Sequence, residues 1–357
     1  MNSTPGAIDV FIPCYGYGHY LRECVESVLT HTTPRIRVLI IDDASPDGTP
    51  DVATDLTKED SRVTYFRHAT NRGHIATYNE GIEWASADYM LLLSADDYLL
   101  PGALTRVSEL MDAHPEVGFT FGKAVELTEG GTFCKTQTFV NTTISTILGN
   151  TAWSVLSGPD FFGLIDSAGS RNIVPTPTAV VRTELQKRAG GYRQELPHSG
   201  DLEMWLRLAA HGSVAVLGTY QAVTRLHGSN MQNSYYHRKS LADLRQRKAA
   251  FDCVFDTCRA ALPHDTYEKI RRGMLRNLGL EAVRNASFAF NENDFDLSDE
   301  LAGFASSAHP GIRTTLPWRL LQCKRLMGTR VSHLLLPAVA RLRQLRLPQA
   351  FRYTPNR

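Results

Sequence analysis

Val38-Leu39-Ile40-Ile41-Asp42-Asp43-Ala44-Ser45-Pro46-Asp47-Gly48-Thr49 is the stretch that decides the fold. Four consecutive branched apolar residues describe a strand buried on both faces, as a parallel sheet requires. Two carboxylates end it, and Ser-Pro-Asp-Gly-Thr turns the chain toward a helix. Before this stretch, Ile8–Ile12 reads as a strand stopped by Pro13. Leu21, Cys24, Val25, Val28 and Leu29 then share one helix face. After it come a strand at Val63–Phe66, a helix marked by Ile75, Tyr78 and Ile82, a strand at Tyr89–Leu93, and a helix marked by Leu104, Val107 and Met111. Strand–helix alternation with short loops implies a parallel α/β sheet with right-handed crossovers.

Further along, Val117–Phe121, Ala179–Arg182 and Val214–Leu217 read as strands. Asp201–Ala210 reads as a helix with Leu202, Trp205, Leu206 and Ala209 on one face. From about Tyr235 the pattern is mostly helical, at Leu241–Arg259 and Tyr267–Ala286. Asn291–Glu300 is acidic and reads as a loop-like linker.

Composition excludes several classes. Apolar residues are 43% and charged residues 21% of the 357, which excludes wholesale disorder. A net charge of +1 argues against a dedicated nucleic-acid binder. That total hides an asymmetry. Residues 301–357 hold ten Lys/Arg and no Asp or Glu, while the first 300 hold 28 basic and 37 acidic residues. Six scattered Cys, none in Cys-x-x-Cys, suit a reducing compartment better than a disulfide scaffold. Met1–Ile8 has no apolar signal-peptide core, and no apolar run approaches the ~20 residues of a membrane helix. A cytoplasmic location is expected, with attachment to the inner face of a membrane as its variant.

The acids sit where an open α/β sheet places its ligand, just beyond the strands. Turn chemistry alone accounts for residues 45–49, but not for adjacent carboxylates at 42 and 43. Ser94-Ala95-Asp96-Asp97 is a second acidic pair at a strand end. Hard oxygen ligands there favour Mg²⁺ or Mn²⁺ bridging a diphosphate; capping of helix 103–113 is the bland alternative. Gly16-Tyr17-Gly18 lacks the third glycine of a dinucleotide fingerprint and is crowded by aromatics.

Val10-Phe11-Ile12-Pro13-Cys14-Tyr15, the Asp-Asp-x-Ser-x-Asp-Gly-Thr turn, Asn71-x-Gly73 with Asn79-x-Gly81-Ile82, and Ser-x-Asp-Asp occur in this order. Together they resemble the family 2 inverting glycosyltransferases of the GT-A fold, over roughly residues 8–230. The resemblance implies a GT-A catalytic domain at 1–230 and a helical region with a basic amphipathic tail at 231–357. It implies transfer of a sugar from a nucleoside-diphosphate-sugar to an acceptor hydroxyl of a glycan, a lipid-linked glycan or a small molecule. Pro13, Tyr15, Asp42, Asp43, Asn71 and Gly73 would line the nucleotide pocket. Asp96 would hold a divalent cation, Mn²⁺ or Mg²⁺, with Asp97 behind it. Ser94 departs from the family's Asp-x-Asp at its first position. His198-Ser199-Gly200-Asp201-Leu202-Glu203-Met204-Trp205 resembles the family's Glu-Asp-x-x-x-Trp, with Gly200 in place of Glu. Asp201 would be the base, since an acceptor hydroxyl must lose its proton as it attacks. Glu203 is the second candidate, Asp201 could also cap its helix, and Trp205 reads as packing. Arg225-Leu226-His227-Gly228-Ser229-Asn230 resembles the segment that brings His227 to the metal or diphosphate.

A sugar-nucleotide pyrophosphorylase is disfavoured because no Gly-rich Arg/Lys loop follows Ile12. A non-catalytic nucleotide-sugar-binding or structural subunit is the other reading, favoured by Ser94 and Gly200. Residues 313–346 mix Arg/Lys with Leu, Val and Trp318, and Val331, Leu335, Val339 and Leu342 keep helical spacing. Either a peripheral membrane helix within 313–357 or a helix packed on this domain or on a second copy fits that pattern.

Overall fold

The computed structural model describes residues 6–30, 32, 34–134, 138–228, 230, 241–259 and 263–329. Its first elements follow the alternation: β1 Ile8–Cys14, α1 Gly18–Leu29, β2 Ile36–Asp42, α2 Thr49–Glu59, β3 Val63–Arg67, α3 His74–Trp84 and β4 Tyr89–Leu92. Then come β5 Tyr98–Leu99, α4 Ala103–Ala113, β6 Val117–Thr128, β7 Phe133–Cys134, α5 Phe139–Leu148, β8 Trp153–Leu156 and α6 Gly158–Ser167. β9 Val180–Arg182, α7 Thr183–Ala189, α8 Gly200–Ala209 and β10 Ser213–Leu226 complete the sheet region.

The sheet runs β3-β2-β1-β4-β9-β6-β10-β5, with β7 on β6 and β8 on β10. β3, β2, β1 and β4 pair in parallel, as expected. Beyond β4 the sheet is mixed. β9 is antiparallel to both β4 and β6, and β5, β7 and β8 also run antiparallel. Parallel pairing thus holds for the alternating strands of the first 120 residues, and the later strands join in both senses. β9 pairs through only three residues, too few to carry a directional signal in sequence.

The apolar runs of β1 and β2 are almost wholly buried, and Leu21, Cys24, Val25 and Val28 of α1 pack on them. α1 also lies close to α2. A Cβ on Gly18 would come within 2.8 Å of the Thr49 main-chain N, so the glycine at 18 serves helix packing. β1 lies between β2 and β4, where the strand order reverses. The crevice outside the carboxyl ends of β1 and β4 is the topological switch point of this sheet.

Contacts divide the chain into two compact units. One holds 1–237 with 245–274, and the other 238–244 with 275–357. The described residues of the second unit are mostly helical. Its described part includes Phe295–Ala308 and a helix over 316–329. Here the expected linker at 291–300 is corrected. Asp294 caps the helix by accepting the Leu297 N–H at 3.1 Å, and Leu301, Ala302 and Ala305 are buried. Its acids are a capped helix start and a solvated face. Within the same unit Lys324 bonds Ser287 and Asn291, and Arg325 pairs with Asp299. Residues 330–357, including the helical spacing at 331–342, lie outside the described residues. Among the described residues no helix is long and apolar enough to cross a membrane.

Candidate active site

The turn after β2 is built by its own carboxylates. Asp42 is fully buried. Its Oδ1 accepts the Ser45 N–H at 2.7 Å, and its Oδ2 accepts the Tyr65 hydroxyl at 2.9 Å and the Arg67 guanidinium. Asp42 is therefore engaged in bonds within its own turn and to β3. These bonds help hold Ala44 at a positive φ of 61°, a region that disfavours a side chain. Ser45 Oγ accepts the Gly16 N–H at 3.1 Å, and Asp47 accepts the Gly18 N–H at 3.0 Å. The turn is thereby fastened to the loop after β1, where Tyr15 is half-exposed beside partly buried Pro13.

Asp43 reaches across to the loop before α3. Its Oδ1 accepts the Arg72 N–H at 2.7 Å and meets His68 Nδ1 at 2.6 Å; its Oδ2 accepts the Gly73 N–H at 2.8 Å. Gly73 precedes α3 with φ of 82°, which favours glycine. Asn71 Oδ1 also accepts the Gly73 N–H, at 3.0 Å. Asp43, Asn71 and Gly73 are thus one bonded corner. The second half of the asparagine–glycine motif works elsewhere. Asn79 bonds both the Tyr192 N–H and its carbonyl, at 2.6 and 3.0 Å. Gly81 makes room for the buried Phe11 ring.

The acidic loop after β4 faces the end of β10. Asp96 Oδ2 lies 3.1 Å from His227 Nε2, with the Asn230 amide 3.4 Å away. Tyr17 stands edge-on to the His227 ring and Tyr20 stacks near it. Asp97 points inward and accepts the Arg225 N–H at 3.1 Å. Burial and then the Asp96 charge push its carboxyl well above the usual range, against the pull of Arg225. Arg225 donates to the Asp96 carbonyl at 2.6 Å, pairs with Glu23, and lies between the Tyr20 and Tyr98 rings. Neither acid caps α4, which starts from Gly102 without a side-chain cap. Among the described residues no group of three His, Cys, Asp or Glu converges, so Asp96 and His227 stand as a pair. A cavity of about 520 Å³ opens beside His227, lined also by Thr128, Glu129, Leu226 and Gly228.

Asp201 lies one residue into α8, whose N-cap is Ser199. The expected capping role of Asp201 is corrected, because its carboxylate turns elsewhere. Oδ2 accepts the Thr176 hydroxyl at 2.8 Å, and Tyr192 also bonds it. Burial raises its pKa above the ordinary 3.8, opposed by those two hydrogen bonds and by His74 and His198. Glu203, the second candidate for the base, is corrected as well. It is fully buried in an ion-pair cage, 3.0 Å from Arg193 Nε and 2.8 Å from Arg207 Nη2. Arg207 then donates to the Gly191 carbonyl at 2.8 Å, tying α8 to the 189–193 loop. Trp205 packs on Phe119, ring centroids 5.6 Å apart.

Tyr78 joins the two halves of the site. From α3 its ring stands edge-on to Tyr192 and to His74, and its hydroxyl bonds Ser94. Burial, then the charges of Asp201, Asp96 and Asp97, raise its pKa. The sequence showed Tyr78 only as an apolar-face residue of a helix. Thr176, Tyr192 and Arg225 were likewise without a role, since none lies in a motif that states its partner.

Residues 9–159 match the family described as glycosyl transferase family 2. The uncharacterised protein MT1568 of Mycobacterium tuberculosis (strain CDC 1551 / Oshkosh) is 25% identical over 227 residues, 63% of this chain and 69% of that one. The uncharacterised glycosyltransferase YibD of Escherichia coli (strain K12) is 35% identical over 28% of this chain and 29% of that one. The chain thus spans less than a third of YibD. In structure the chain is similar to Staphylococcus aureus TarS 1–349, with a TM-score of 0.60, 14% identity, and coverage of 90% of this chain and 91% of that one. TarS 1–349 has also been solved with UDP-GlcNAc. The mannosyltransferase PcManGT of Pyrobaculum calidifontis, solved with GDP-Man and Mn²⁺, gives a TM-score of 0.50 at 16% identity, covering 92% of this chain and 87% of that one. These likenesses show a GT-A fold.

Proposed function

We propose a reaction for this chain from the premise that it carries a family 2 glycosyltransferase domain. Residues 1–230 transfer a glycosyl group from a nucleoside-diphosphate-sugar to an acceptor hydroxyl, with inversion at C1. One observation carries this reading. A partly buried carboxylate bonded to the Thr176 hydroxyl, Asp201, and an acid–imidazole pair, Asp96 with His227, lie around Tyr78, whose pKa both acids raise.

Asp43, Asn71 and Gly73 form the nucleotide corner, with Pro13 and Tyr15 on its β1 side. Asp96 and His227 would hold Mn²⁺ or Mg²⁺, whose chemistry there is neutralisation of the leaving diphosphate. Asp97 fixes the acidic loop to β10 and Arg225 anchors its backbone. Asp201 accepts the acceptor proton, and Thr176 and Tyr192 aim its carboxylate. A raised pKa makes it a stronger base than an exposed aspartate. Inversion needs one displacement and no covalent sugar–enzyme adduct. NMR of the product's anomeric proton tests this, and retained configuration would overturn it. A chain that binds the donor but neither transfers nor hydrolyses it would instead be a nucleotide-sugar-binding subunit.

The proposal includes a site of action on the cytoplasmic face of a membrane. Leu316 and Leu326 are exposed on the helix over 316–329, and Arg319 lies in the same segment. Apolar residues interleaved with cations support adsorption to anionic lipid.

A further inference from the structure

His68 follows β3 and is buried, with 4% of its surface exposed. Its Nδ1 lies 2.6 Å from Asp43 Oδ1 and its Nε2 lies 2.5 Å from Glu80 Oε2. Both partners are carboxylates. A neutral imidazole has one donor and one acceptor nitrogen, so it can satisfy only one ionised carboxylate. Two carboxylate oxygens at these distances call for two N–H donors, hence an imidazolium.

We propose that His68, held as an imidazolium between Asp43 and Glu80, is the positioning residue for the nucleotide pocket. This rests on the reading of Asp43 as a nucleotide-pocket residue. Asp43 binds both sides of that corner. It belongs to the turn after β2 and accepts the Arg72 and Gly73 N–H groups of the loop before α3. Those two bonds and the one from His68 leave the carboxylate capacity for one further donor, of the kind a nucleobase N–H supplies. His68 supplies the third bond and a positive charge beside it. Loss of that charge leaves one N–H for two carboxylates, so a ring lone pair faces Asp43 or Glu80 and the charge-assisted hold on Asp43 is weakened.

The groups facing His68 are few. Asp43 comes from the β2 end, and Glu80 from α3. Arg72, in the loop before α3, pairs with Glu80. On the β3 side Phe66 stands edge-on to the imidazole, 5.4 Å between centroids. Burial works against the charged ring, but the bonds to Asp43 and Glu80 outweigh it, and the pKa lies above the ordinary 6.5. A raised pKa keeps the clamp intact below 6.5 and removes it as pH rises through the raised value. Nucleotide affinity should therefore fall as pH rises through that raised value.

The test uses the full-length protein with Mn²⁺ and two probes, uridine diphosphate and guanosine diphosphate, titrated calorimetrically from pH 6 to 9. Wild type should bind one of them and lose affinity in a single step above pH 6.5, by about tenfold, the size expected for a charge-assisted hydrogen bond. His68→Gln should bind about tenfold more weakly at pH 6, with no such step. Glu80→Gln should move the step to lower pH, a change that a merely structural role would not produce. Nitrogen-15 NMR of the wild-type His68 ring needs no variant, and both nitrogens should be protonated at pH 7. A neutral ring at pH 7, or an unchanged step in His68→Gln, would overturn the clamp and leave the glycosyltransferase reading standing. Failure of wild type to bind either diphosphate at any pH would overturn both.

Discussion

At the residue scale the site separates carboxylates by the company they keep. Asp42 and Glu203 are met by guanidinium groups and hold the structure, whereas Asp201 is hydrogen-bonded by the Thr176 and Tyr192 hydroxyls, with His74 and His198 nearby. Replacing Asp201 by Asn should lower sugar transfer by 10²-fold or more, the usual scale of a general base. The same change should leave the melting temperature equal or slightly higher. A group with a raised pKa stabilises the fold less as pH rises through that pKa, so an uncharged amide removes a cost at neutral pH. Transfer rate and thermal melting, measured on one preparation, check the pair of outcomes. The acid limb of the pH–rate profile should lie above 3.8, because the ionised base is lost as pH falls through its raised pKa. Glu203→Gln should behave oppositely. It leaves two arginines beside a buried neutral amide and should cost about 3 kcal/mol, seen in urea unfolding; an effect under 1 kcal/mol would contradict the cage.

At the scale of elements, what the sequence revealed depended on length and periodicity. β1, β2 and α1 to α4 were readable because each buries several residues at fixed spacing, as Leu21, Cys24, Val25 and Val28 do. β5 and β7, two residues each, present no period to read. The helix Phe295–Ala308 was hidden by its acids, although Leu297, Leu301 and Ala305 keep a four-residue spacing. In the site, the motifs named Asp43, Asp96, Asp201 and His227, but their hydroxyl and aromatic partners come from distant segments. Thr176 precedes β9, and Tyr192 arrives on a loop that Asn79 fastens. Gly81 shows how closely α3 is laid on β1. A Cβ there would sit 2.1 Å from the Phe11 ring. Gly81→Ala gains about 1 kcal/mol of helix propensity yet should destabilise by about 1–3 kcal/mol net through overpacking. A more stable variant in chemical denaturation would show that α3 and β1 are less tightly fitted.

Over the whole molecule, the near-neutral charge is a sum of unlike parts. The acids include the residues that the proposed chemistry uses, and residues 301–357 carry cations only. Lys324 and Arg325 are engaged in bonds within their own unit, so adsorption would draw on the remaining cations and on exposed Leu316 and Leu326. Full-length protein should co-sediment with anionic vesicles, and protein lacking 313–357 should stay in solution; equal sedimentation would remove the tail from membrane attachment. The central claim is that Asp201 drives sugar transfer from a donor placed by Asp43 and Asp96. Its most direct test is release of nucleoside diphosphate from UDP- and GDP-sugars with Mn²⁺, comparing wild type with Asp201→Asn. Release by wild type, with at least a 10²-fold fall in a variant that still binds the diphosphate, is the predicted result. Equal release by the two proteins would contradict the account.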